Sequence, residues 1–144
     1  MLGHPLHPAV VHFPIGLLLS ATAADVARVA GLISDVRIAA ILMAGGLAMG
    51  LVAMAAGMID FARLDQAVVP HAVRHMAAVG TAWLGYAVAL YLRRDVFQDA
   101  VDPGTVSVAL SLASAAVLAL GGFLGGRLVY TFGAGVAKPT RSAE

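Results

Sequence analysis

The five histidines of this 144-residue chain fall in two places. His4, His7 and His12 stand among Pro5, Pro8 and Pro14 directly before a long apolar run, and His71 and His75 open a later one. Imidazole is a ligand for haem iron, zinc, copper and non-haem iron, and its titration near neutrality suits it to proton relay. His71 and His75 are four residues apart, so on a helix they share one face a turn apart. The chain has no cysteine. Disulfides, iron–sulfur clusters, thiolate sites and covalent haem attachment are therefore excluded, and a metal would need imidazole, carboxylate, phenol or carbonyl ligands.

The elements that must position these imidazoles are membrane helices. Hydrophobic residues make up 60% of the chain and charged ones only 12%, with a mean hydropathy of +0.90, far from a soluble composition. At about 1.5 Å rise per residue, a hydrocarbon layer of about 30 Å needs roughly twenty apolar residues. Four stretches meet that length, about 8–31, 36–61, 70–92 and 103–131. The predicted fold is all-α, a four-helix transmembrane up-down-up-down bundle with both termini on the same side. It forms one membrane domain over residues 1–144, with a flexible tail over 133–144.

Local signals refine this. The first helix begins at Pro8 or at Pro14; in the first case Pro14 lacks the N–H for the Val10 carbonyl and opens the helix beside His12, and in the second the histidine stretch is an extended lid. Leu17 to Ala27 has the apolar core of a secretory leader but no basic residues ahead of it, so a retained helix is expected. Asp25 and Arg28, near the far end, should be interfacial or paired. Ser34 or Asp35 caps the second helix, and Asp102 followed by Pro103 starts the fourth. Arg93, Arg94 and Asp95 end the third, leaving a polar interfacial connection to Asp102.

Four crossings bring both sets of histidines to one side. The same side receives Asp60, Arg63, Asp65, Arg74, Arg127 and Tyr130. Counted from Pro8 and Pro70, His12 and His75 lie at matching depth, and His7 and His71 form a shallower tier. The chemistry this favours is a b-type haem held between His12 and His75, with His7 and His71 as the alternative pair. Glycines of the second and fourth helices would leave room for the ring, Arg63, Arg74 and Arg127 would meet the propionates, and Asp60 would orient an imidazole.

Other readings stay open. His7, His12, His71 and His75, with Asp60, could hold a bare zinc, copper or iron ion. The histidines could also relay protons or face a quinone, or simply order the end of an accessory subunit without a cofactor. The Gly46/Gly50 spacing, and the pairs formed by Gly121, Gly122, Gly125 and Gly126, allow close helix approach, including a homodimer. Nucleic acid is excluded by the net charge of +1 and the absence of any basic arm. No nucleophile elbow, phosphate loop or zinc-protease helix is present, so the chain is not expected to be an enzyme by itself. Arg63, Arg74, Arg127, Lys138 and Arg141 on the histidine side roughly balance Arg28, Arg37, Arg93 and Arg94 opposite, so basic residues do not orient the chain.

The opening run from His4-Pro-Leu-His7-Pro through His12-Phe-Pro-Ile-Gly, the Gly57-Met-Ile-Asp60 step, His75, and the Gly121-to-Tyr130 segment together resemble the domain-of-unknown-function 2231 (DUF2231) family. The resemblance covers nearly the whole chain. It implies a bacterial inner-membrane, multi-pass protein. Members fused to Rieske-type or cytochrome-like domains imply redox partner proteins and electron transfer. Where the family often carries Arg-His-Gly after its Leu-Val-Tyr step, this chain has Thr131-Phe132-Gly133, so its fourth helix offers no imidazole.

Overall fold

A computed structural model describes residues 6–99 and 101–134. His4, Lys138, Arg141 and most of the expected flexible tail lie outside the described residues. Six helices follow one another: α1 Leu6–Val10, α2 His12–Val29, α3 Arg37–Phe61, α4 Val69–Leu92, α5 Val96–Asp99 and α6 Gly104–Tyr130. There is no strand among the described residues. Four segments are long and apolar enough to cross a membrane, His7–Val29, Arg37–Phe61, Val69–Leu92 and Gly104–Tyr130. The outward apolar surface fits a lipid solvent: Phe13, Leu84, Val106 and Phe123 are each more than half exposed.

The described part of the first helix runs from Leu6, so the helix is already formed at Pro8 and Pro14 lies inside it, the first of the two arrangements expected. Val11 keeps helical torsions between α1 and α2, with Val11 N–H bonded to His7 O and Ile15 N–H to Val11 O. Pro14 supplies no N–H for the Val10 carbonyl, which interrupts the ladder without ending the span. At the other end Gly31 takes a left-handed φ of 74°, while Leu32 N–H reaches Ala27 O and Gly31 N–H reaches Arg28 O. These are the two bonds of a Schellman stop, which a β-carbon at Gly31 would strain. Asp35 Oδ1 accepts the Arg37 N–H at 2.9 Å, and Asp102 Oδ1 accepts the Gly104 N–H at 2.8 Å. Both expected acidic caps therefore act at the helix starts.

Helix α2 packs chiefly on α3, and α4 chiefly on α6. The order of contacts makes each pair antiparallel: Leu18 meets Gly46 while His7 meets Gly57, and Val79 meets Gly121 while His75 meets Gly125. The core between the pairs contains Leu18, Ala21, Met43, Leu47, Ala82, Tyr86, Ala89 and Leu118. The glycines earn close approach inside the chain. A β-carbon at Gly46 would lie 2.7 Å from the Leu18 side chain, one at Gly50 would lie 2.8 Å from the Trp83 ring, and one at Gly121 would lie 2.7 Å from Val79. Gly46, Gly50 and Gly121 thus pack against the chain's own side chains, whereas a β-carbon at Gly122 would meet nothing within 4 Å.

The connection after α4 begins where expected, with α4 ending at Leu92 and Arg93 as its C-cap, and Arg94, Asp95, Gln98 and Asp99 are exposed. Two of its residues turn inward: Val96 of α5 and Arg93 are each only 1% exposed, and Arg93 pairs with Asp25.

Candidate functional site

At one end of the bundle, His7 of α1 and His75 of α4 lie face to edge, with ring centroids 6.1 Å apart and planes at 78°. Each ring is held by a carbonyl of a neighbouring helix. His7 Nδ1 is 2.8 Å from Ala53 O on α3, and His75 Nδ1 is 2.9 Å from Gly121 O on α6. A carbonyl only accepts, so each Nδ1 is the donor in its bond, and these bonds leave both Nε2 atoms unengaged. Neither carbonyl is an accident of fraying, since both lie well inside their helices.

Two glycines make room for the rings. A β-carbon at Gly57 would approach His7 Nδ1 to 3.1 Å, and one at Gly125 would come within 2.9 Å of His75 Cε1. These glycines therefore seat imidazoles, and both also border the open space beside the rings. Gly122 is different: a β-carbon there would meet nothing within 4 Å, and the residue borders the open space itself. That space is a cavity of ≈ 770 Å³, within the usual range for small-molecule and cofactor sites. Its walls are mostly apolar, with His7, His12, His75, Asp60, Arg63 and Tyr130 as the ionisable residues among them.

The arrangement revises the sequence expectations residue by residue. His7, not His12, is the partner of His75, and the depth tiers inferred from Pro8 and Pro70 do not hold. His7 enters the bundle against Ala53 and Gly57, one to two turns inside the end of α3 at Phe61, so it lies deeper than counting along its own helix implies. His12 borders the cavity but is exposed. His71 stands apart, stacked on Phe132 with centroids 4.1 Å apart. Among the described residues no three or more His, Cys, Asp or Glu side chains gather closely enough to hold a metal ion. The set of His7, His12, His71 and His75 with Asp60 is accordingly not assembled.

Asp60 acts on the backbone rather than on a ring. Its Oδ2 accepts the His7 N–H at 3.0 Å, which fixes the start of α1 against the end of α3. Of the three expected arginines, Arg63 borders the large cavity, whereas Arg74 and Arg127 border a smaller neighbouring pocket with His71. Three methionines not singled out from sequence, Met54, Met58 and Met76, also line the large cavity. Met54 and Met58 are four apart and Met76 follows His75, a spacing that would have placed them there once the helix faces were known.

At the opposite end lies a polar cluster that sequence reasoning did not assemble. Arg93 Nη1 and Nη2 donate to Asp25 Oδ1 and Oδ2 at 2.9 and 3.1 Å. Its Nε donates to Ser107 Oγ at 2.9 Å, and that hydroxyl donates to Ala89 O at 2.8 Å. Closer to the middle, Thr22 Oγ1 lies 2.7 Å from the Tyr86 hydroxyl and 2.9 Å from Ser111 Oγ. The available signal was Ser107, Ser111 and Ser114, which recur at helical spacing in an otherwise apolar run. At the rim, Arg28 Nη1 meets Asp102 Oδ2 at 2.7 Å. The Asp102 carboxyl is held below the usual carboxylate range, first by the Gly104 N–H and then, against a small burial penalty, by Arg28.

Comparison with known proteins adds the family and nothing on activity. A family model described as "Predicted membrane protein (DUF2231)" matches residues 3–138. No curated protein and no solved structure matches the chain.

Proposed function

The chain belongs to the DUF2231 family of predicted membrane proteins, and from that premise we propose that its histidine cavity binds a b-type haem for electron transfer, which His7 and His75 would hold. The observation that carries this reading is the pair of carbonyl-anchored imidazoles on the wall of one apolar cavity. Ligating histidines characteristically donate their second N–H to a carbonyl or carboxylate, which fixes the ring and strengthens the ligand. His7 and His75 would hold the iron through their ring nitrogens, and their centroids lie 6.1 Å apart.

The lining fits the group's chemistry as well as its size. Apolar walls suit a macrocycle, the open face at Gly122 imposes no side chain, and Arg63 offers a cation for a propionate. When bound, haem supplies one-electron chemistry, whose potential is tuned by ligands and burial. The protein's share is to hold two imidazole nitrogens in place and to keep water away from the ring. With it we propose a redox partner protein or quinone as electron source, and, on the family resemblance, a bacterial inner-membrane location.

A second reading is favoured by one specific observation, the presence of Met54, Met58 and Met76 beside the two imidazoles. Thioethers with imidazoles are a donor set for monovalent copper, so the same cavity would then hold that ion instead.

The test is purification in mild detergent from haem-replete, copper-supplemented cells, followed by absorption spectroscopy and metal analysis. Haem binding predicts a Soret band that falls at least about tenfold in His7→Ala and in His75→Ala, as expected when a haem ligand is lost, and that persists in His12→Ala. Stoichiometric copper without a Soret band, lost in Met54→Leu/Met58→Leu, supports the second reading. A colourless, copper-free protein, or a band indifferent to both His7 and His75, overturns the site and leaves the two imidazoles as clasps between helices.

A further inference from the structure

Next to the large cavity is a pocket of ≈ 30 Å³ lined by His71, Arg74, Leu124, Arg127 and Phe132. It lies between the first turns of α4 and the last turns of α6, where two of the four candidate membrane spans end. Among the described residues neither guanidinium group has a carboxylate within ion-pair distance. The ion pairs among the described residues join Arg28 to Asp102, Arg93 to Asp25 and Arg94 to Asp95, and the acidic residue of the neighbouring cavity, Asp60, is engaged with the His7 backbone.

Two cations brought to one small pocket repel each other unless an anion completes the arrangement. The third polar group points the same way. The His71 ring is stacked on Phe132, with centroids 4.1 Å apart and planes 27° apart, which fixes its orientation without using a ring nitrogen. The histidine rings hydrogen-bonded to protein among the described residues are those of His7 and His75, so a His71 ring N–H remains available as a donor. A pocket of this size accepts water-sized groups. It would take the oxygens of an oxyanion and leave the rest of a larger molecule outside.

We propose that His71, Arg74 and Arg127 form a binding site for a phosphate group, independent of what the larger cavity holds. The guanidinium fork matches phosphate oxygens with paired N–H donors, and basic pockets between membrane helices are suited to anionic headgroups. A phosphodiester of an anionic lipid and free inorganic phosphate share this chemistry, and they differ in whether the rest of the ligand needs the surrounding apolar surface. An anion at this position would tie the start of α4 to the end of α6, beside the His75 to Gly121 bond.

The test uses the full chain in neutral detergent and reads the unfolding midpoint against added inorganic phosphate, short-chain phosphatidylglycerol or short-chain phosphatidylcholine, because a ligand of the native state raises that midpoint. A rise with phosphate assigns a free-anion site; a rise with phosphatidylglycerol but with neither phosphate nor phosphatidylcholine assigns a headgroup site. In either case Arg74→Gln and Arg127→Gln weaken the response by roughly tenfold each, as loss of a hydrogen bond to a charged group does. Both side chains are exposed, so the variants should fold, and Arg37→Gln, at the start of α3, should respond as the parent does. No rise with either anion, an undiminished response in both variants, or an equal loss in Arg37→Gln overturns the proposal. So does a haem spectrum altered by Arg74→Gln while the lipid response stays intact, since the arginines would then serve a propionate.

Discussion

At one end of the bundle Asp25, Arg93, Ser107 and the Ala89 carbonyl bond to one another and close the interior. At the other end His7 and His75 each bond a single carbonyl on a neighbouring helix, and between them and the surface is a cavity of ≈ 770 Å³. Both ends place ionisable groups among apolar helices, but what they leave unpaired differs: a buried Arg28 Nε at the rim of one, and a ring nitrogen of each imidazole beside the cavity of the other. In the closed end the guanidinium, carboxylate and hydroxyl consume each other's bonds, which is what a structural clasp requires. In the open end each imidazole spends one nitrogen on its own orientation and keeps the other. Polar burial by itself therefore does not mark a site; unspent hydrogen-bonding or ligating capacity beside a cavity does.

The sharpest way to break this contrast is to cut the closed end. Arg93→Ala leaves the Asp25 carboxylate, 1% exposed, without its partner, and loss of a buried charge partner costs about 3–5 kcal/mol. Reversible unfolding in mixed micelles should show that loss, while the histidine cavity keeps whatever it binds in the fraction that folds. A cost below about 1 kcal/mol, typical of an exposed pair, would mean that water reaches Asp25 and that the two ends are alike.

Gly125→Ala tests the open end next. Its new methyl would sit 2.9 Å from His75 Cε1, and overpacking of this kind costs about 1–3 kcal/mol. Because the ring must move off the Gly121 carbonyl, the expected signature is a larger loss of ligand than of stability. Gly122→Ala, with nothing within 4 Å of the added carbon, should leave stability unchanged, and a cofactor spectrum altered by it would show that the ligand presses on that wall.

Tyr86→Phe removes one of the hydroxyls around Thr22, which retains Ser111 as a partner at 2.9 Å. The expected cost is about 1 kcal/mol, measurable by the same unfolding. The smallest effect concerns the rim. The folded-state pKa of Asp102 is lowered by the Gly104 N–H and by Arg28, so its contribution is fully present above the ordinary carboxylate range and fades as pH falls through the lower folded value. Asp102 is largely exposed, so Asp102→Asn should change stability at neutral pH by no more than about 1 kcal/mol, and should flatten that part of the acid titration.

How much of this was legible depends on which interactions run along the chain. The acidic caps at Asp35 and Asp102 were readable because a carboxylate one or two residues ahead of a helix can reach only its first N–H groups. The burial of Arg93 was not, since a charge at the end of an apolar run looks interfacial until a carboxylate from a distant helix is placed opposite it. The histidine pairing failed for a related reason. Depth was counted along one helix at a time, whereas Gly57 and Gly125 decide how far His7 and His75 can sink between helices.

Composition, the four apolar runs and the placing of all histidines at two helix starts follow from the chain alone, because hydrocarbon demands roughly twenty residues per crossing and an internally bonded backbone. What only the tertiary structure decided is register: which turn of one helix lies against which turn of another. Register depends on side-chain volumes meeting across the interface, on Leu18 against Gly46 and His75 against Gly125. That is why His7 rather than His12 faces His75, and why Asp25 finds Arg93.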